Sequence, residues 1–173
     1  MKFLWLYIFG VTLVVVGFGQ TDAYEIEWQR CYGGSASDIC YAIANATDGG
    51  YIMCGCTKSN DFDLNGIRTR SGNSDVWVVK LDEVGEIEWQ RCYGGSDTDI
   101  AFSIIQTSDA GFIFAGVTYS NDGDVSGWHE GYTSGGYTPF FDSWVVKIDS
   151  IGNLEWQRCL GGSGEEFLWS VIE

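Results

Sequence analysis

Two short acidic stretches carry the sharpest chemical signal in the chain. Asp61-Phe-Asp63-Leu-Asn65-Gly66 and Asp122-Gly-Asp124-Val-Ser126-Gly127 place oxygen-bearing side chains at alternate positions, each followed by a Gly. Oxygens spaced in this way can wrap a hard cation, and Ca2+ prefers an all-oxygen shell. The candidate metal ligands are therefore Asp61, Asp63, Asn65, Asp122, Asp124 and Ser126. Both loops are incomplete as calcium loops. The twelfth position, where a complete loop carries Glu, holds Gly72 and Thr133; Glu130 is a later donor in the second loop, and Thr69 stands in its place in the first. With so few carboxylates, the expected affinity is weak, about 10⁻⁴–10⁻³ M. The competing reading of the same residues is a set of Asx turns in a polar loop.

Three further acids, Asp38, Asp99 and Glu166, each stand three residues after a Gly-Gly-Ser. They read either as an acidic ring on one rim or, with the greater weight, as acceptors of backbone N–H groups in the turn between units. His129 is the one His, and with no second His and no placed nucleophile it supports neither a triad nor a zinc site. Carboxylates are numerous enough to pose as a glycosidase pair, but separation along the chain says nothing of their separation in space. Trp128, Tyr132 and Tyr137 form the one aromatic cluster in a loop, and are the candidate ligand contacts. They read as a stacking surface for a sugar or a peptide, or equally as packing that holds the loop down.

The elements that position these residues repeat. Glu25-Ile-Glu-Trp-Gln-Arg-Cys-Tyr-Gly-Gly-Ser35 returns unchanged at residues 86–96 and, slightly altered, at 154–163; the Trp markers Trp28, Trp89 and Trp156 are spaced by 61 and then 67 residues. Each unit carries four short strand signals. In the second they fall at 100–107, 112–118, 143–148 and 154–159; in the first, at 39–46, 51–57, 76–81 and 86–92. Turn signals such as Ser108-Asp-Ala-Gly111 and Asp149-Ser-Ile-Gly152 divide each unit into two hairpins. Val76-Trp-Val-Val79 and Trp144-Val-Val146 are apolar without alternation, as in strands buried on both faces. Four antiparallel strands per sixty-odd residues, repeated, predict an all-β fold of β-propeller-like blades. The boundaries read as a leader at 1–19, a strand of the fourth type with its turn at 20–37, a first blade at 38–98, a second at 99–165, and the start of a third at 166–173. Two blades and part of a third close no ring, so the sequence reads as a piece of a longer protein whose remaining blades are its partners, with self-association as the alternative.

Composition supports this class. The 173 residues are 16% aromatic with 24 Gly and one Pro, which suits strands joined by tight turns. A formal net charge of -15 argues against nucleic acid and anionic lipid as partners. Lys2 followed by an apolar run over 3–16 and small residues at Gly17 and Gly19 reads as a signal peptide cleaved before Gln20, with Ala23 as a second cleavage position and an uncleaved anchor as the alternative. No membrane insertion is expected once the leader is removed. Cys31, Cys92 and Cys159 are one repeated position; Cys40, Cys54 and Cys56 align with Ala101, Ala115 and Val117. That pattern favours Cys as a small core filler over a disulfide framework.

The string Trp-Gln-Arg-Cys-Tyr-Gly-Gly-Ser, with Ile-Ile-Gln-Thr-Ser-Asp-Ala-Gly-Phe-Ile, Ser-Asn-Asp-Gly-Asp-Val-Ser-Gly and Trp-Val-Val-Lys-Ile-Asp, resembles a large set of secreted bacterial repeat proteins. The resemblance covers nearly all of the chain after the leader. It implies β-propeller blades, a secreted or outer-surface location and, in many members, a C-terminal sorting domain; it implies no defined activity. The expected function is a non-enzymatic scaffold for adhesion or ligand binding, with a glycan or a protein as partner. The alternatives are a propeller part or accessory of a polysaccharide-acting enzyme, and a purely structural repeat.

Overall fold

Alternating apolar runs broken by Asp- and Gly-bearing turns fold into two antiparallel meanders. The computed structural model describes residues 7–8, 11–12, 25–64, 66, 72–129 and 140–172. Within the apolar N-terminal run, β1 (Tyr7–Ile8) and β2 (Val11–Thr12) pair antiparallel. The first four-stranded sheet runs in chain order through β3 (Asp38–Asn45), β4 (Tyr51–Thr57), β5 (Asp75–Leu81) and β6 (Ile87–Tyr93). The second repeats it with β7 (Asp99–Gln106), β8 (Phe112–Thr118), β9 (Asp142–Ile148) and β10 (Leu154–Leu160). Every pairing is antiparallel, and the described residues contain no helix. Residues 161–172 carry no strand, so the expected third unit shows no sheet of its own.

The hairpins close on Asp side chains. Asp82 Oδ1 accepts the N–H groups of Val84 (3.0 Å) and Glu86 (2.8 Å), and Asp149 Oδ1 does the same for Ile151 (3.0 Å) and Asn153 (2.8 Å). Each such bond satisfies a turn donor that the ladder leaves over. Beneath the other hairpin of each unit lies a buried lysine. Lys80 Nζ meets Asp48 (2.8 Å) and Glu88 (2.7 Å), and Lys147 Nζ meets Asp109 and Glu155, both at 3.0 Å. Burial works to lower the pKa of both ammonium groups, and the carboxylates outweigh it and hold them above the ordinary lysine value.

β5 is buried along its whole length and β9 at every position but Val145, as strands apolar on both faces should be. The two sheets share one core. Ile52, Cys54, Val76 and Val78 of the first pack against Ile104, Phe112, Phe114, Trp144, Val146 and Ile148 of the second. The opposite face of the first sheet, with Met53, Trp77, Val79 and Leu81, buries Leu64 and packs against Tyr32 of the N-terminal string. The units therefore stack head to tail. The face carrying Trp144 lies on the preceding sheet, and its counterpart carrying Trp77 lies under residues 25–35. All six cysteines are thiols, and Cys54, Cys56 and Cys92 are buried as fillers.

Two expectations need correction. Trp77 and Trp144 are buried alike, with Nε1 donating to Gln90 Oε1 (3.2 Å) and Gln157 Oε1 (2.9 Å). Trp28, Trp89 and Trp156 occupy one repeated position, which predicts equal burial, yet they are not buried alike. Trp28 and Trp89 are half-buried against the next unit, while Trp156, which has no next sheet to lie on among the described residues, is 42% exposed. The segment 20–37, expected to hold a strand of the fourth type with its turn, shows no strand over its described residues 25–37.

Candidate functional site

The strongest polar convergence lies where the repeated string meets the following unit. The string ends in Gly-Gly-Ser, whose backbone N–H groups turn inward with no strand to receive them. The next unit supplies side-chain oxygens instead. Gly34 N donates to Asp38 Oδ2 (2.8 Å), Ser35 N to Asp61 Oδ1 (2.8 Å), Gly33 N to Asp63 Oδ2 (3.1 Å) and Ala36 N to Ser59 Oγ (2.8 Å). One repeat later, Gly95 N donates to Asp99 Oδ2 (2.8 Å), Ser96 N to Asp122 Oδ1 (2.7 Å), Gly94 N to Asp124 Oδ2 (3.3 Å) and Asp97 N to Ser120 Oγ (3.0 Å). The second Gly is required by space: a Cβ on Gly95 would run into Asp122 and Ser120.

Asp99 is the hub of this clamp. Its carboxylate also accepts from the Thr118 hydroxyl and from Ser120 Oγ (2.9 Å), and it is fully buried. Burial pushes its pKa up to about 7 against the lowering effect of these donors, and the neighbouring Asp75 carboxylate adds to the rise. Asp38 makes the same bonds to Thr57 (2.5 Å) and Ser59 (2.9 Å) at a more open junction. Glu166 accepts Gly162 N at 3.2 Å, completing the series. Asp38, Asp99 and Glu166 are thus backbone acceptors between units, as their place after Gly-Gly-Ser suggests.

The clamp also accounts for four of the six candidate calcium ligands. Asp61, Asp63, Asp122 and Asp124 direct carboxylate oxygens at main-chain donors, and the Ser35 donors hold the Asp61 pKa below the usual carboxylate value. Ser126 Oγ accepts from Gln157 Nε2 at 2.6 Å, on the far side of its loop, and Asn65 lies outside the described residues. Among the described residues, no group of three or more His, Cys, Asp or Glu side chains is placed to hold a metal ion.

Packing reinforces the junction. The Trp89 ring meets Phe112 at 6.1 Å between centroids and lies over Gly152, where an added Cβ would come 3.0 Å from the ring. Gly152 has φ +83°, a conformation that also favours Gly. Tyr93 Oη donates to Gly152 O at 2.6 Å. Trp28, Gly85 and Tyr32 repeat this arrangement on the first sheet, with Tyr32 Oη to Gly85 O at 2.7 Å.

A second constellation is aromatic. Tyr41 and Phe102 sit at β-bulges, where β3 and β7 each carry one residue without a ladder partner. A bulge re-aims its side chain, and these two rings meet at 5.2 Å. The line continues from Phe102 to Trp169 (4.9 Å), Phe167 (5.3 Å), Phe141 (4.4 Å) and Tyr119 (5.1 Å). Tyr41, Phe167 and Trp169 are exposed. Trp128, the one candidate ligand aromatic that is described, is half-buried and donates Nε1 to Phe140 O (3.1 Å) beside this line; Tyr132 and Tyr137 lie outside the described residues.

The same loop holds an arrangement that sequence reasoning missed. Buried Asp142 accepts both His129 N (2.8 Å) and His129 Nδ1 (2.9 Å) through one oxygen, leaving the imidazole about half exposed. The equivalent acid of the first unit is Asp75, so this His–Asp pair departs from the repeat. No signal marked it in advance, because the partners stand thirteen positions apart in the sequence.

No family model matches the chain. A 135-residue stretch, 77% of this chain, is 28% identical to Regulatory protein FlaEY of Caulobacter vibrioides, of which it covers 14%. The chain thus spans about one seventh of that relative's length.

Proposed function

We propose that this chain is a non-enzymatic binding scaffold, exported or held at the cell surface, whose sheets are consecutive blades of a β-propeller. The observation that carries the reading is the continuous line of six rings from Tyr119 to Tyr41, three of them exposed. Exposed rings, with Tyr41 aimed by a bulge, suit a ligand with flat apolar faces, a glycan or an aromatic-rich protein segment. The acids that would otherwise suggest catalysis are occupied in joining units. Weak Ca2+ binding by Asp61, Asp63, Asp122 and Asp124 belongs to the same proposal; their N–H bonds argue against a strong site, and an unchanged melting temperature with millimolar Ca2+ against chelator would remove it.

Titration calorimetry against soluble polysaccharides and aromatic-rich peptides tests the main reading. Binding without turnover, lost in the Tyr41→Ala/Trp169→Ala double variant, is the expected result. Retention of binding by the double variant would overturn the assignment. One observation favours a second reading, a polysaccharide-acting enzyme: His129, oriented by Asp142, supplies the asymmetry that near-identical units otherwise lack. Release of reducing ends that disappears in His129→Gln would establish it.

A further inference from the structure

We infer that His129, held by Asp142 beside Trp128, is a saccharide-binding position: Nε2 accepts a sugar hydroxyl while the Trp128 ring covers the sugar's apolar face. This deepens the reading of the chain as a binding scaffold and rests on it. Its basis is a departure from the repeat. Trp and His occur in the stretch 119–142 and neither occurs in its counterpart 58–75, although both stretches end on equivalent buried acids, Asp142 and Asp75. Strands and clamp are built from what both units share, so folding alone does not ask for this pair.

The tautomer follows from the partners. Asp142 Oδ2 accepts His129 N at 2.8 Å, and a carboxylate only accepts, so Nδ1 at 2.9 Å carries the proton. In the neutral ring Nε2 then presents a lone pair, for which a hydroxyl is a fitting donor. No described residue is bonded to Nε2, and the imidazole is half exposed. Trp128 Nε1 donates to Phe140 O at 3.1 Å, so ring and imidazole dock on one segment, 140–142. Ser126 is fixed as well: Gln157 Nε2 of β10 donates to its Oγ (2.6 Å) and O (3.1 Å). A site held at three points loses little freedom on binding. The contacting groups and their anchors all lie between residues 126 and 157, within the second unit.

A pyranose carries an apolar face and a rim of hydroxyl donors on one rigid ring, which matches a ring and an acceptor side by side. A peptide must order its backbone to offer both. Charge then selects among sugars. Asp142 stands behind the imidazole, and the Asp142 and Glu166 carboxylates converge on Gly161. With a formal net charge of -15, the chain repels a uronic acid. The ligand class is therefore a saccharide without acid groups.

Titration calorimetry of the full chain against a neutral glucan, a galactomannan, an amino-sugar oligomer, a polyuronate and an aromatic-rich peptide tests the inference. The expected result is binding to at least one of the first three and none to the polyuronate. His129→Phe should weaken that binding by more than about tenfold, and His129→Gln, whose amide oxygen still accepts, should restore part of it. Near-ultraviolet circular dichroism checks that both variants keep the fold. Because His129 is the one His, its imidazole gives a single set of proton resonances. The bound sugar should shift them in the unaltered chain, which decides the matter should a variant fail to fold. Equal loss in both variants, no loss in His129→Phe, a preference for the polyuronate, or no sugar binding at all would overturn the inference. If Tyr41→Ala/Trp169→Ala abolishes sugar binding and His129→Phe does not, or if the peptide alone binds, the scaffold reading stands and this position falls.

Discussion

Asp99 joins two units through a single buried carboxylate, and its ionisation should be visible in stability. Its folded pKa of about 7 lies above the ordinary carboxylate value of 3.8. The folded state therefore holds a proton that the unfolded state releases. The contribution of Asp99 is fully present below about pH 4 and is lost as pH rises towards and through about 7. Urea titrations between pH 4 and 8 should show this decline, and Asp99→Asn should flatten it. Thr118→Val, which leaves a buried acceptor short of a donor, should cost about 1–3 kcal/mol. Glycine offers a second comparison at this scale. Gly152→Ala meets both the Trp89 ring and a positive φ, whereas Gly127→Ala meets the positive φ alone, with nothing within 4 Å. Chemical melts should rank Gly152→Ala as the more destabilising, by more than about 1 kcal/mol relative to wild type. Little of this was legible beforehand. Asp and Asn alternating before Gly look alike whether they face a cation or a main-chain N–H, because both ask for the same oxygens. The constant separations between partners were the available clue: 4, 23, 26 and 30 residues at both junctions.

Strands were far more legible than sites. β4 and β8 begin and end where the apolar runs do, and the other six strands of the two sheets differ from expectation by one residue at one or both ends. The reason is local: alternation, apolar continuity and Asp- or Gly-bearing turns are written in neighbouring residues. Exposure of Trp156 was not legible, since identical strings do not reveal which of them finds a neighbour. The two environments predict opposite outcomes for one substitution. Trp144→Ala should cost about 3–5 kcal/mol, as for a fully buried aromatic. Trp156→Ala should change the stability of the isolated fold by less than about 0.5 kcal/mol. Equilibrium denaturation of the two variants under conditions that keep the chain monomeric makes the comparison.

Across the whole molecule, the two sheets share a core and should not unfold independently. Phe114 touches Tyr93 at 5.3 Å and Trp144 at 5.7 Å, so it links the end of the first sheet to the centre of the second. Phe114→Ala should therefore lower hydrogen-exchange protection in β4 and β5 as well as in β8 and β9. Loss confined to β8 and β9 would show that the sheets are separate cooperative units. The all-β architecture and its two-hairpin repeat were evident from the sequence, while the His129–Asp142 pair was not. A packed repeat constrains its strands many times over, whereas a long loop is constrained once.

Because each N–H donor of the clamp and its carboxylate or hydroxyl acceptor lie at most 30 residues apart, a stretch of about one period contains both halves of its own joint. A coding segment of that length, copied in register next to itself, would deliver a unit already equipped to attach on each side. No compensating change would be needed at a distance. Lengthening by duplication is then nearly free of structural cost, and the identity of the strings at 25–35 and 86–96 is the trace that such copying leaves. Drift is tolerated elsewhere in the unit, as the six-residue difference in length between the stretches 58–75 and 119–142 shows. It is resisted at the Gly-Gly-Ser and its acceptors, where a change on one side would strand its partner on the other.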